Sequence, residues 1–130
     1  MNKPTALLLC LLTTLISFAE ELPKTCFGKY GGEMPAYSVE FEGATLDIDK
    51  HDVFITIAED DIVYTGGNLK LSGTYTVFRQ SKNEYVIKTT LSNGKSLEYE
   101  MDLVWNKKED KIYITPKNGQ SEAVLERMGT

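Results

Sequence analysis

Residues 85–105 read YVIKTTLSNGKSLEYEMDLVW. Tyr85, Ile87, Thr89 and Leu91 fall on one side of an extended chain. Beyond Asn93-Gly94, Leu97, Tyr99, Met101, Leu103 and Trp105 do the same, with Ser96, Glu98, Glu100 and Asp102 on the opposite side. Such alternation marks half-buried strands, because successive Cβ atoms of an extended backbone point to opposite faces. Asn-Gly tolerates the positive φ that both central positions of a type I′ turn require. The stretch therefore predicts two long antiparallel strands joined by a two-residue hairpin turn.

The same period extends in both directions. Upstream, Leu69, Leu71, Gly73, Tyr75 and Val77 share one face behind the turn signal Gly66-Gly67-Asn68. Before them come Tyr37, Val39 and Phe41, then Leu46 and Ile48 after Glu42-Gly43, then Val53, Ile55 and Ile57, and residues 62–65 after Asp60-Asp61. Downstream, a polar turn at 107–110 precedes Ile112 and Ile114, residues 116–119 break the chain, and a last strand covers 123–128. Connections of two to six residues are too short for parallel crossovers, so about eight to nine strands run as an antiparallel up-and-down meander. Its apolar face is buried if the all-β sheet closes, or nearly closes, into a small barrel or β-clam. Gly73, in the middle of the longest strand, predicts a sharp bend where the sheet coils.

At the N-terminus Lys3 precedes an apolar run over 6–18, and Ser17-Phe18-Ala19 forms a small-x-small site. This pattern predicts a cleaved secretory signal peptide over 1–19 and a single domain over 20–130, secreted or periplasmic. The apolar run, about 14 residues, falls short of the roughly 20 that span a bilayer, so no stable membrane insertion is expected after signal removal. Cys10 leaves with the leader, which makes Cys26 the only thiol of the exported chain and excludes an intramolecular disulfide. Beside Phe27 it is expected to be buried as a small hydrophobe.

The chain carries 14 basic and 19 acidic side chains, net −5, without a basic cluster interleaved with aromatics. Nucleic acid and anionic membrane surfaces, which select concentrated positive charge, are excluded as partners. Asp47-Ile48-Asp49-Lys50-His51-Asp52 gathers four possible ligands. A calcium loop would need Gly where Asp52 stands and an acid where Ala58 stands, and zinc needs more nitrogen or sulfur than one His supplies. No metal site and no cofactor is expected. Ser92-Asn93-Gly94-Lys95 has the spacing of a Ser-x-x-Lys motif, but it straddles a hairpin turn instead of opening a helix. Catalysis by Cys26 and His51 would require the two to share a cleft, and the chain reads as a non-enzyme with no catalytic residues. Glu59-Asp60-Asp61 reads as a solvated turn or as an acidic knob for a basic protein.

Phe27-Gly28-Lys29-Tyr30 resembles the opening of the lipocalin and fatty-acid-binding (calycin) superfamily, whose first strand begins Gly-x-Trp and whose last strand supplies a cation over the closed end of the barrel. The resemblance implies that Tyr30 stands in for the Trp and Arg127 is the covering cation, forming a barrel-closing pair. The second and third lipocalin motifs are not recognisable. In such a barrel Tyr37, Phe41, Tyr75, Tyr85, Tyr99, Met101 and Trp105 are expected on the interior face. There they would line a pocket for a small hydrophobic or amphipathic ligand, with the Tyr hydroxyls orienting it. The alternative expectation is an inhibitor or immunity-type protein-interaction module. It would have a filled core, recognition through its loops, and an apolar or acidic patch at one end.

Overall fold

The computed structural model describes residues 20–95, 97–115 and 122–129, apart from the side chain of Phe41; the predicted leader and the chain break at 116–119 lie outside them. After a 3-10 turn at Lys24–Cys26 come ten strands: β1 (Gly28–Met34), β2 (Tyr37–Phe41), β3 (Ala44–Ile48), β4 (His51–Ile57), β5 (Ile62–Gly66), β6 (Leu69–Arg79), β7 (Glu84–Ser92), β8 (Glu98–Asn106), β9 (Lys111–Ile114) and β10 (Ala123–Arg127). Eight of them close an antiparallel barrel in the order β1-β10-β9-β8-β7-β6-β5-β4, and β4 pairs back onto β1 from Gly28↔Ile57 to Met34↔His51. The fold is the all-β closed meander that the alternation predicts.

Two features depart from the sequence reading. β2 and β3 do not join the barrel: they form a separate hairpin inserted between β1 and β4. Their alternation matches that of the barrel strands, so periodicity cannot say which sheet they belong to. The expected turn chemistry also sits elsewhere. Glu42 (φ 50) and Gly43 (φ 81) are both left-handed and join the paired Phe41 and Ala44, as a type I′ turn requires. At Asn93-Gly94 only Gly94 has positive φ (83), and the flanking pair is Ser92↔Glu98. The β7–β8 connection is longer than two residues, with the Asn93 side-chain oxygen accepting from the Lys95 and Leu97 amides at 2.8 and 3.1 Å. Leu97 consequently precedes β8 and is exposed, not inward-facing.

Gly73 has no room for a side chain. A Cβ placed there would lie 1.8 Å from the Thr90 carbonyl oxygen, so only a residue without a side chain lets β6 coil this tightly against β7.

The interior is apolar and packed. Tyr30, Met34, Ile55, Ile57, Ile62, Leu71, Ile87, Leu91, Leu103, Trp105, Ile112 and Ile114 are all fully buried. Each such side chain contributes about 1.5–3 kcal/mol relative to exposure. Thr89, a buried polar residue, donates its hydroxyl to the Met101 carbonyl at 2.9 Å. Tyr85 packs against Trp105 with the rings tilted by 41° and their centres 5.6 Å apart.

The strand directions give the barrel two distinct ends. One carries the 3-10 turn, the β4–β5, β6–β7 and β8–β9 turns and the end of β10. The other carries the β2–β3 hairpin, the β5–β6 turn and the β7–β8 loop.

Candidate functional site

The first end is sealed. Arg127 lies at the end of β10, where its register partner on β1 is Tyr30, and its guanidinium sits 4.8 Å from the centre of the Tyr30 ring. Its nitrogens donate to the Phe27 and Thr25 carbonyls at 2.9 and 2.5 Å, tying the incoming chain and the 3-10 turn across the barrel mouth. Asp110 completes the seal. Held in the left-handed region (φ 57) at the end of the β8–β9 turn, its carboxylate accepts from Arg127 Nε at 2.5 Å and Trp105 Nε1 at 3.1 Å, and takes the longer branch, 3.3 Å, of a bond that the Tyr30 hydroxyl shares with the Cys26 carbonyl. The Arg127 hydrogen bond, helped by Trp105 and Tyr30, holds the Asp110 carboxyl below its ordinary range and raises Arg127 in turn.

Cys26 is buried beneath this network, and burial pushes its thiol up to about 12. The Tyr30 hydroxyl donates to the Cys26 carbonyl at 2.7 Å, and burial raises that phenol as well. A neutral, enclosed thiol is a poor nucleophile. His51 starts β4 at the opposite end, a strand's length away, with Nδ1 2.9 Å from the Asp49 carbonyl. Cys26 and His51 do not share a cleft. Among the described residues no group of three or more His, Cys, Asp or Glu is placed to hold a metal ion.

The residues expected on one interior lining are distributed among three settings. Tyr85, Met101 and Trp105 are buried in the barrel core. Tyr75 is half-buried at the sealed end, its hydroxyl donating to the Ala58 and Glu59 carbonyls at 2.6 and 3.0 Å. Tyr37 and Tyr99 are half-buried at the opposite end, packed against the core. There they neighbour Tyr64, whose hydroxyl burial pushes up to about 12, with smaller contributions from Tyr37 and Tyr99. Phe41 belongs to β2, and its side chain lies outside the described residues. Three clefts, of about 210, 320 and 340 Å³, open on the outside. One lies on the outer face of β6–β8, one between residues 20–27 and the β4–β5 turn, and one beside Phe54 and Gly66.

The second end exposes three of the six large apolar side chains that reach solvent among the described residues; the other three, Phe78, Val124 and Met128, lie on the outer wall and at the end of β10. Leu46 on β3, Leu69 at the start of β6 and Leu97 in the β7–β8 loop are 47, 40 and 39% exposed, and all three belong to this end. The hairpin is amphipathic. Tyr37 and Val39 share a face with their cross-strand partners Ile48 and Leu46, while Ser38, Glu40, Thr45 and Asp47 form the other. That polar face is internally bonded, Ser38 to Asp47 at 2.7 Å and Thr45 to Glu40 at 3.0 Å.

A further apolar row runs around the outside of the barrel through the register partners Phe78, Val86, Val104, Tyr113 and Val124. The ion pairs Lys88–Asp102 and Lys111–Glu126 flank it. It follows the barrel's curvature across five strands, so a flat partner would touch only part of it.

The molecule is thus a closed eight-stranded antiparallel β-barrel with one end sealed by a cation over an aromatic ring, an architecture compatible with calycin-like barrels. Comparison of the chain with protein-family models, curated proteins and solved structures gave no match. Sequence reasoning missed the role of Asp110, which sits in a run of alternating charges that reads as a solvated turn, and it missed the separation of the hairpin from the barrel.

Proposed function

We propose that this is an exported protein-interaction module, of the inhibitor or immunity type, built on a lipocalin-like barrel whose interior serves as core and whose loops carry recognition. The observation that carries the reading is the contrast between interior and rim. The barrel interior holds fully buried Trp, Tyr, Ile, Leu and Met side chains, whereas Leu46, Leu69 and Leu97 are each exposed at the end opposite the seal. Apolar surface rimmed by polar residues is how protein-binding sites look before they are occupied. An interior carrier would present the reverse: an unfilled lining and a polar mouth.

The test is site-specific photo-crosslinking in the exporting host. A photoreactive residue at Leu46 or Leu97 is expected to give one discrete protein adduct that the same probe at Phe78, on the outer wall, does not. Equal labelling from all three positions would remove the reading. So would a stoichiometric small molecule released from the purified chain on denaturation and seen by native mass spectrometry, which would establish the carrier instead.

A further inference from the structure

Charge is distributed very unevenly along this chain. Residues 33–52, the hairpin with its flanks, hold Glu33, Glu40, Glu42, Asp47, Asp49 and Asp52 against Lys50 alone. That segment is net −5, which equals the net charge of the whole chain, and without the predicted leader the remaining residues hold 12 basic against 13 acidic side chains, close to balance. The same segment forms the two-stranded sheet that stands outside the barrel. Among the described residues the hairpin pairs only with itself, which makes it marginally stable in water and leaves the outer edge of each strand unpaired. Its apolar face packs on the barrel at the Tyr37 end, whereas Leu46, next along that face, is 47% exposed.

Resting on the interaction-module reading above, we propose that the β2–β3 hairpin is a recognition arm that takes up an extended, cationic segment of a partner protein as a third strand. The period of a strand dictates the sequence of that segment. Alternate side chains of an added strand continue the two faces of the sheet it joins. On one face they lie beside Val39 where the segment adds to β2, or beside Leu46 where it adds to β3, and must be apolar. On the other they lie beside Glu40 or Asp47, respectively, and must be Lys or Arg. A second copy of this chain would bring its own five negative charges to the same edge and is repelled. A neutral segment would desolvate Glu40 and Asp47 without compensation. The concentrated charge also steers a cationic partner to this end before contact, since the rest of the molecule is close to electrical balance.

The experiment is selection of a displayed library of random 14-residue peptides on the exported chain, Glu40→Lys/Glu42→Lys and Leu46→Ser variants serving as counter-targets. Unchanged Trp105 fluorescence shows that the variants are folded. The expected result is enrichment of peptides alternating Lys or Arg with apolar residues. Their affinity should fall at least about tenfold on each variant, and about tenfold for the parent between roughly 50 and 300 mM salt. Peptides that lack the basic alternation, or that bind both variants undiminished, would overturn the arm while leaving the interaction-module reading standing. No enrichment on the parent chain would overturn both.

Discussion

The Arg127 guanidinium lies 4.8 Å from the centre of the Tyr30 ring, and the two residues are direct register partners on β10 and β1. Arg127 also donates to the Tyr30 hydroxyl at 2.7 Å. One side chain therefore bonds the first strand, the last strand, the entering chain and the β8–β9 turn. It does so because a guanidinium offers five donors in a rigid plane.

Replacing Arg127 by Lys keeps the charge but loses the fork, and replacing it by Met keeps the stem but loses both. Because Arg127 and Asp110 are partly open to solvent, with side chains 31 and 39% exposed, the ion pair is screened and the hydrogen bonds carry most of the effect. Arg127→Met is expected to cost roughly 2 kcal/mol and Arg127→Lys roughly half that. Urea unfolding followed through Trp105 would check this, since Trp105 is the one Trp in the chain and is buried. Equal midpoints for all three proteins would refute it.

Asp110 links the seal to pH. Its folded carboxyl titrates below the ordinary value of 3.8, chiefly because it accepts from Arg127. A depressed folded value means that the contribution is complete above the unfolded pKa and drains away as pH falls through the folded one. Asp110→Asn preserves the left-handed backbone, which Asn tolerates, and removes the charge. The stability gap between parent and variant should therefore be widest near pH 7 and narrow steadily below about pH 4. A gap independent of pH would mean that the carboxylate is not ionised in the network.

The barrel was legible in the sequence and the seal only partly so. Alternation over β4 to β8 states which residues face in, because period two admits no other placement once one face is buried. Tyr30 and Arg127 were findable through the Gly-x-aromatic opening and a cation in the last strand. Asp110 was not: nothing in Lys107-Lys108-Glu109-Asp110-Lys111 separates the one carboxylate that turns inward from its solvated neighbours. The hairpin was read correctly as strands and incorrectly as barrel. Whether Leu46 is buried depends on a tertiary contact that the local pattern does not encode.

Gly73 and Gly94 separate two reasons for glycine. At Gly73 an added Cβ meets the Thr90 carbonyl oxygen at 1.8 Å, a backbone atom that moves only if β6 and β7 part. Gly73→Ala should cost more than about 3 kcal/mol or prevent folding. At Gly94 nothing lies within 4 Å and only the positive φ of 83 opposes a side chain, so Gly94→Ala should cost about 1 kcal/mol. Paired denaturation curves decide it, and comparable losses at the two sites would contradict the close approach of β6 and β7.

Cys26 gives the last prediction, on the alkaline side. Burial raises its thiol from 9.0 to about 12 in the folded chain, whereas the unfolded chain ionises at the ordinary value. A raised acid contributes stability that is fully present below the unfolded pKa and is lost as pH climbs towards the folded one, so this contribution declines between about pH 9 and 12. Burial raises Tyr30 in the same direction, which means that total alkaline stability cannot isolate the thiol. The difference between parent and Cys26→Ala reads the thiol together with the share of the Tyr30 shift that the thiol causes, while the burial of Tyr30 and its bond to the backbone carbonyl of residue 26 persist in both. That difference should shift in favour of the variant as pH passes 9. A soluble thiol reagent at pH 8 should label the native parent only as fast as the closed end opens, and urea should accelerate the labelling. Immediate stoichiometric labelling of the folded protein would show that the thiol is reachable and would return Cys26 to the set of reactive groups.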